Sequence, residues 1–489
     1  MPKVTLPRRL DALDPTVSDT VTVDLPGPSL ATADLAVEGG PEVVPDARGR
    51  FAPGEPAAAR AVQAFVIAAM AIGLVRGRDV LPGPVPWAVG RPLLVRPQVA
   101  TLVRNARYVP RTHRLELGRG QVDGDEIWAA DDPDVVAHET GHALVHLLAP
   151  GLLASWHPHA RAIHEALADL VAMITLLDSE VFRARVVGTL AGLAGASGLA
   201  RLGEGFARAL RKPEVRALDA RRALPGFGTD AEVVADDEPH ALSLVLSNAL
   251  FAFAVGELAG YVHTEGRTDQ LARFARQLRR LVLRALVYAP PGGLVFADIA
   301  RILVGADRSV HGVATRRGQE AVLDRHFRSR GMLVDVPRLT DPEPAMPPLP
   351  RAGPDESFAA RLADAMGAPT PGAVSIRRYV HEVSVLGRRP TMATEWLIKL
   401  QWSRAAAQAG GDPPLRVEGG ATAVYDAATG APRVWIRSVG DHPREDAARS
   451  AGYLALPGAA CAVTPEGLRP EALHDALHVV RAAPGGRRT

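Results

Sequence analysis

The chain has 489 residues and a single cysteine, Cys461, so no intrachain disulfide framework can form. Stability must come from packing or from a bound metal, which fits a reducing compartment. Lysine is almost absent. Only Lys3, Lys212 and Lys399 occur, and nearly all of the positive charge is arginine. The 56 basic residues are scattered among 54 acidic ones and form no stripe, which argues against nucleic acid as a partner. Long hydrophobic runs are missing too. The longest, "AVQAFVIAAMAIGLV" at 61–75, is interrupted by Gln63 and falls short of the roughly 20 residues that span a bilayer. It predicts a buried helix and no membrane partner. No apolar core follows the basic residues of "MPKVTLPRRLDALDPTVSDT", so the expected location is cytoplasmic.

The length suggests about three domains. Residues 1–55, rich in Pro, Gly, Asp and Val, suit an extended arm or weak edge strands. Residues 56–130 begin with a helical pattern and end in strand-like alternation around "YVPRTHRLELGRG". Residues 131–335 are dominated by long helical segments punctuated by "APG", "PGFG" and "YAPPGG". At 336–354, seven prolines in "PRLTDPEPAMPPLPRAGP" favour an extended linker that few contacts cross. Residues 355–489 then read as a small α+β module, with a helix at "DESFAARLADAMG" and a hairpin at "ATAVYDAATGAPRVWIRS".

The chemistry is concentrated in "VVAHETGHAL", residues 135–144. Asp132-Pro133 offers a helix cap and first turn, and Pro150-Gly151 closes the segment. Four residues apart on a helix, His138 and His142 share one face and can reach one ion. Glu139 lies a quarter turn round, placed to take a proton from a water on that ion. A bare His-Glu-x-x-His also arises by chance, so a third ligand matters. The helical run "HARAIHEALADLVAMI" supplies Glu165 as that ligand and Asp169 behind it, a carboxylate able to accept the remaining N–H of a zinc-bound histidine. Two acidic residues on an apolar helix need such a partner if they are buried. His146 continues the zinc face but lies about 12 Å from His138 along the axis, too far for the same ion. His157, His159 and His164 read first as polar, solvated loop residues, and the pair His474 and His478 as incidental.

With Glu165 placed 23 residues after His142 in "HEALAD", the chain resembles the thermolysin-like gluzincin zinc metallopeptidases. The resemblance implies an α+β fold with a zincin-like core, mostly helical around the metal, and Zn2+ as cofactor. The stretch "NARYVPRTHRLELG" is similar to the edge strand that pairs with substrate in that family, which implies substrate contacts at Asn105 and Ala106. The segment "EPHALSLVLSNALFAFA" is similar to the one that supplies an oxyanion-stabilising histidine, here His240. The stretches "RALVYAPPGGLVFADIARILVGAD" and "EGGATAVYDAATGAPRVWIR" are similar to a little-characterised bacterial group that adds a C-terminal module to this core. The implied activity is hydrolysis of a peptide or protein substrate, with Glu139 as general base. Three features depart from the pattern: no secretion signal or propeptide is evident, the connection between the metal helices has no tyrosine, and no acidic calcium cluster is recognisable. A binding or regulatory protein with a silent or occluded zincin core is the alternative, and retention of Glu139 speaks against it.

Overall fold

A computed structural model of the chain describes most of residues 29–189, 242–254, 267–333 and 345–438, with short strand pairs at either end. It mixes helix and sheet, the α+β class. Helix α1 (Pro56–Val75) starts with Pro at its first turn and is apolar almost all round, so it is buried on nearly every side. It runs 20 residues, longer than the apolar run read from sequence, and is long and apolar enough by composition to cross a membrane. In the fold, 67% of its most apolar window is buried, against α2, α3 and the neighbouring sheet.

Strands β1 (Lys3–Arg9) and β2 (Ser18–Asp24) pair antiparallel, and both lie near α1. Strand β3 (Leu35–Val37) takes one edge of a four-stranded sheet and buries Leu35 in the main core, so part of this stretch is an edge strand. The other members are β4 (Leu93–Arg96), β5 (Ala106–Val109) and β6 (Arg114–Leu117), in the order β3-β4-β6-β5. The stretch read as one strand is thus a hairpin. Its turn carries His113 at φ 50, a left-handed residue without the usual glycine signal. Ala106 and Tyr108 point into the core while Arg107 pairs with Glu116 across the outer face. Strand β5 ends up at the sheet edge, beside α2. A second hairpin, β7 (Arg119–Val122) and β8 (Asp125–Trp128), leads into that helix.

Helix α2 (Pro133–Leu148) is capped by Asp132, whose side chain accepts from the Asp134 and Val135 N–H groups. Helix α3 (Pro158–Leu177) starts on Pro158, with His157 Nδ1 accepting from His159 N–H. Helices α4 (Glu180–Thr189), α5 (Arg267–Tyr288), α6 (Phe296–His311) and α7 (Arg317–Arg328), together with helical residues 245–251, belong to the same helical layer among the described residues.

The C-terminal sheet contains β9 (Ala373–Val383), β10 (Thr391–Ala406), β11 (Leu415–Asp426) and β12 (Pro432–Arg437), extended by β13 (Ala460–Thr464) and β14 (Gly467–Glu471). The β11–β12 hairpin turns where Asp426 accepts from Ala428 and Thr429 N–H and Gly430 adopts φ 70. Alternation along β10 splits its two faces. Ile398, Leu400 and Trp402 pack with Phe358 and Leu362 of helix α8 (Glu356–Ala365). Leu397 instead joins Val424, Val434 and Ile436 in the main core.

The low contact expected across the proline-rich stretch is therefore not what the fold has. Tyr288 of α5 and Ser309 of α6 both donate to Glu395 of β10, and His381 Nε2 lies 3.0 Å from the same carboxylate. Lys399 Nζ donates to Ala289 O at 2.8 Å. Tyr425 OH donates to Pro347 O at 3.0 Å, so the prolines themselves lie along the sheet. Gly292, at φ 101, sits where a Cβ would meet Glu418 O at 2.7 Å, which leaves no room for a side chain between the helical layer and β11.

Candidate metal centre

The i, i+4 spacing on α2 stacks His138 and His142, and α3 crosses close enough to add Glu165. Gly141 makes the approach possible: a Cβ there would lie 2.9 Å from Ala168 Cα. His138 Nε2 is 3.4 Å and His142 Nε2 3.6 Å from Glu165 Oε2. One ligand atom from each of the three residues lies within 4.8 Å of the others, a group able to hold a metal ion.

The other ring nitrogens are held as well. His138 Nδ1 lies 2.9 Å from Asp169 Oδ1, and Ser247 Oγ donates to Asp169 Oδ2 at 3.0 Å. His142 Nδ1 lies 2.6 Å from His164 Nδ1, the two rings meeting edge to edge in nearly one plane, 11° apart with centroids at 4.7 Å. Burial lowers the pKa of His138, but the hydrogen bonds its ring donates to the Asp169 and Glu165 carboxylates overcome that and hold the group well above its ordinary value. Burial pushes His164 well below its ordinary value, with His142 adding to the effect.

Glu139 is buried at 5% exposure. Burial raises its pKa, the neighbouring His142 and His138 oppose that, and Glu165 adds to it. The Tyr108 backbone N–H on β5 hydrogen-bonds this carboxylate. Its Oε2 is buried with no hydrogen-bond partner among the described residues. An orphaned carboxylate oxygen beside two imidazoles and a second carboxylate fits a site built to hold a cation and a water.

The other residues singled out from sequence are placed unevenly. Ala106 opens β5 and Asn105 directly precedes it, with the Asn105 carbonyl accepting from Gly118 N–H at 3.1 Å. His240, His474 and His478 lie outside the described residues. His146 is turned away from the ion position, bonded to Tyr108 OH at 2.9 Å, and burial takes its pKa down to about 4. Two of the three histidines read as solvated are buried, His157, which caps α3, and His164, at 2% exposure, while the half-buried His159 stacks on Phe296 with ring centroids 4.1 Å apart. Tyr108, Ser247 and His164 are the functional neighbours that sequence reasoning missed. Alternation on β5 puts Tyr108 on the face of Ala106, and that signal was available. Nothing local marks Ser247, which is 78 residues from Asp169.

No protein-family model matches the sequence, and no curated protein matches it.

Proposed function

We propose that this protein is a zinc metallopeptidase with a zincin-like core of the thermolysin-like gluzincin type, acting on peptide or protein substrates in the cytoplasm. The observation that carries the reading is Glu139: a buried carboxylate with a raised proton affinity and an unpartnered oxygen, next to a His138/His142/Glu165 ligand set. A metal cage that served structure alone would have no use for it.

Two imidazoles and one carboxylate with an open position are the donor set of a hydrolytic zinc site. Zinc bound there would polarise a carbonyl and lower the pKa of a coordinated water toward about 7. Glu139 takes the proton from the attacking water and passes it to the leaving amine, a role served by a pKa raised toward neutrality. Asp169 holds the His138 ring through Nδ1, and Ser247 holds Asp169. Strand β5, at the sheet edge and bonded to Glu139 through Tyr108, is suited to align an extended peptide by main-chain pairing, with Asn105 and Ala106 at its start. His240 is proposed as the oxyanion donor on the resemblance alone.

A second reading, an occluded binding or regulatory protein, is favoured by one observation. Glu139, His142 and Glu165 are each no more than 6% exposed, which leaves His138 as the most open of the set. The deciding experiment is peptide-library cleavage by the full-length chain, before and after chelation and on return of zinc. Cleavage that stops with chelation and recovers with zinc supports the peptidase. Zinc-loaded protein that cleaves nothing supports the occluded reading.

A further inference from the structure

The C-terminal sheet ends on β9, which pairs with β10 along one side and with no strand of the described residues along the other. An open edge of 11 residues presents a row of backbone N–H and C=O groups to any extended chain that lies beside it. Its side chains form a pattern. Val374 is 36% and Val380 45% exposed on one face, and the register sets Met392 of β10, 55% exposed, on that same face opposite Glu382. Between the two valines stand Arg377 and Arg378, both exposed. Arg378 lies over the Trp396 ring at 5.8 Å, and neither arginine forms an ion pair among the described residues. The strand has one acid, Glu382, two positions after Val380. The positive charge is felt within the sheet: burial, and then the nearby Arg377, bring Lys399 of β10 down to about 7.

We propose that the β9 edge is a docking site for an extended acidic segment of a partner protein, which joins the sheet as a further strand. Main-chain pairing supplies affinity in such an addition, and the side chains beside it select the sequence. Alternation fixes what is selected, because Val374, Arg378 and Val380 project from one face of β9 and Arg377 from the other. A strand laid alongside needs adjacent acidic residues opposite Arg377 and Arg378, flanked by apolar residues opposite the two valines. Charges also guard an edge against aggregation. Guarding gives no use, however, for exposed valines on either side of them. A second copy of the chain is the poorer occupant: antiparallel pairing of the whole strand about a two-fold axis sets arginines against arginines, and like charges directly opposite are destabilising. This docking needs neither the metal nor peptidase chemistry, and it stands or falls apart from them.

The test uses the full-length chain and fluorescent peptides as long as β9, carrying a Glu-Glu pair spaced from two valines as the edge requires. Both chain directions are made, and binding is read by anisotropy. In one direction the Glu-Glu peptide is expected to bind at least about tenfold more tightly than its Lys-Lys counterpart, and to weaken with added salt. Arg377→Glu combined with Arg378→Glu is expected to reverse that preference. N-methylation of the alternate peptide residues that face β9 is expected to abolish binding, whereas methylation of the other set leaves it. If the double variant does not fold, Arg378→Ala takes its place and is expected to weaken the Glu-Glu peptide by about tenfold. No binding, equal binding of the two peptides, or an affinity unchanged in these variants would overturn the proposal. Charge-selective binding that tolerates both methylation patterns would also overturn it, as attraction without strand addition. A dimer of the wild-type chain that Val380→Asp dissociates would give the edge to a second copy instead.

Discussion

Gly141 of α2 faces the backbone of Ala168 on α3 so closely that an added Cβ would lie 2.9 Å from Ala168 Cα and 3.0 Å from its carbonyl oxygen. Backbone cannot rotate away as a side chain can, so any side chain here must part the helices. These two helices carry His138, His142, Glu165 and Asp169 between them. Gly141→Ala is therefore expected to cost about 1–3 kcal/mol of stability through overpacking, less whatever alanine returns in helix propensity. It should also weaken zinc binding, read by chelator competition on the folded variant. Reduced stability with wild-type zinc affinity would separate the helix crossing from the site.

A proton competes with the metal at His138. The carboxylates of Asp169 and Glu165 outweigh burial and hold its pKa well above 6.5 in the metal-free protein. Stability from this group is fully present below the unfolded value of about 6.5 and is lost as pH rises through the folded one. Zinc must displace that proton, so zinc affinity is expected to fall by about tenfold per pH unit below the folded pKa. Calorimetry in buffers of different ionisation enthalpy measures the proton released. Asp169→Asn should reduce that release and weaken zinc by about 10- to 100-fold at alkaline pH. Unchanged proton release and unchanged affinity would make Asp169 a packing residue.

The C-terminal sheet is expected to be indispensable to the helical layer. Burial raises the Glu395 carboxyl, but His381, Arg284 and Ser309 bring it down to about 2. The stability it contributes is thus present above the unfolded carboxyl value of about 4.5 and lost as pH falls toward the folded value. Glu395→Ala should cost about 3–5 kcal/mol in urea unfolding at neutral pH, because it strips one partner from a buried network. Deletion of residues 355–489 should expose the core around Ile302, Leu303 and Tyr288 and give aggregated protein. A soluble, zinc-loaded truncate would show that the helical layer stands without the sheet.

How much of this was legible in the sequence depended on whether the cause was local. Helix α2 announced itself through Asp132, Pro133 and the His138/His142 spacing, and the β11–β12 hairpin through Asp426 and Gly430, because caps and turns are properties of a few adjacent residues. Docking of the C-terminal sheet was not legible. Seven prolines report local stiffness and say nothing of what lies alongside, whereas the docking rests on Glu395 meeting Tyr288, 107 residues away. At the metal centre the ligand types and spacing pointed to Glu165. The shell of Tyr108, His164 and Ser247 depends on how β5 and the helices meet, and only His164 sits beside a residue already singled out.

The most direct test of the metallopeptidase account compares wild type with Glu139→Gln, measuring zinc per chain and cleavage of a peptide library on the same preparations. The amide keeps a hydrogen bond to the attacking water but cannot take its proton. The account predicts one zinc per chain in both proteins, with hydrolysis in the wild type and none above background in the variant. Equal cleavage by both, or a wild-type chain that holds no zinc, would contradict it.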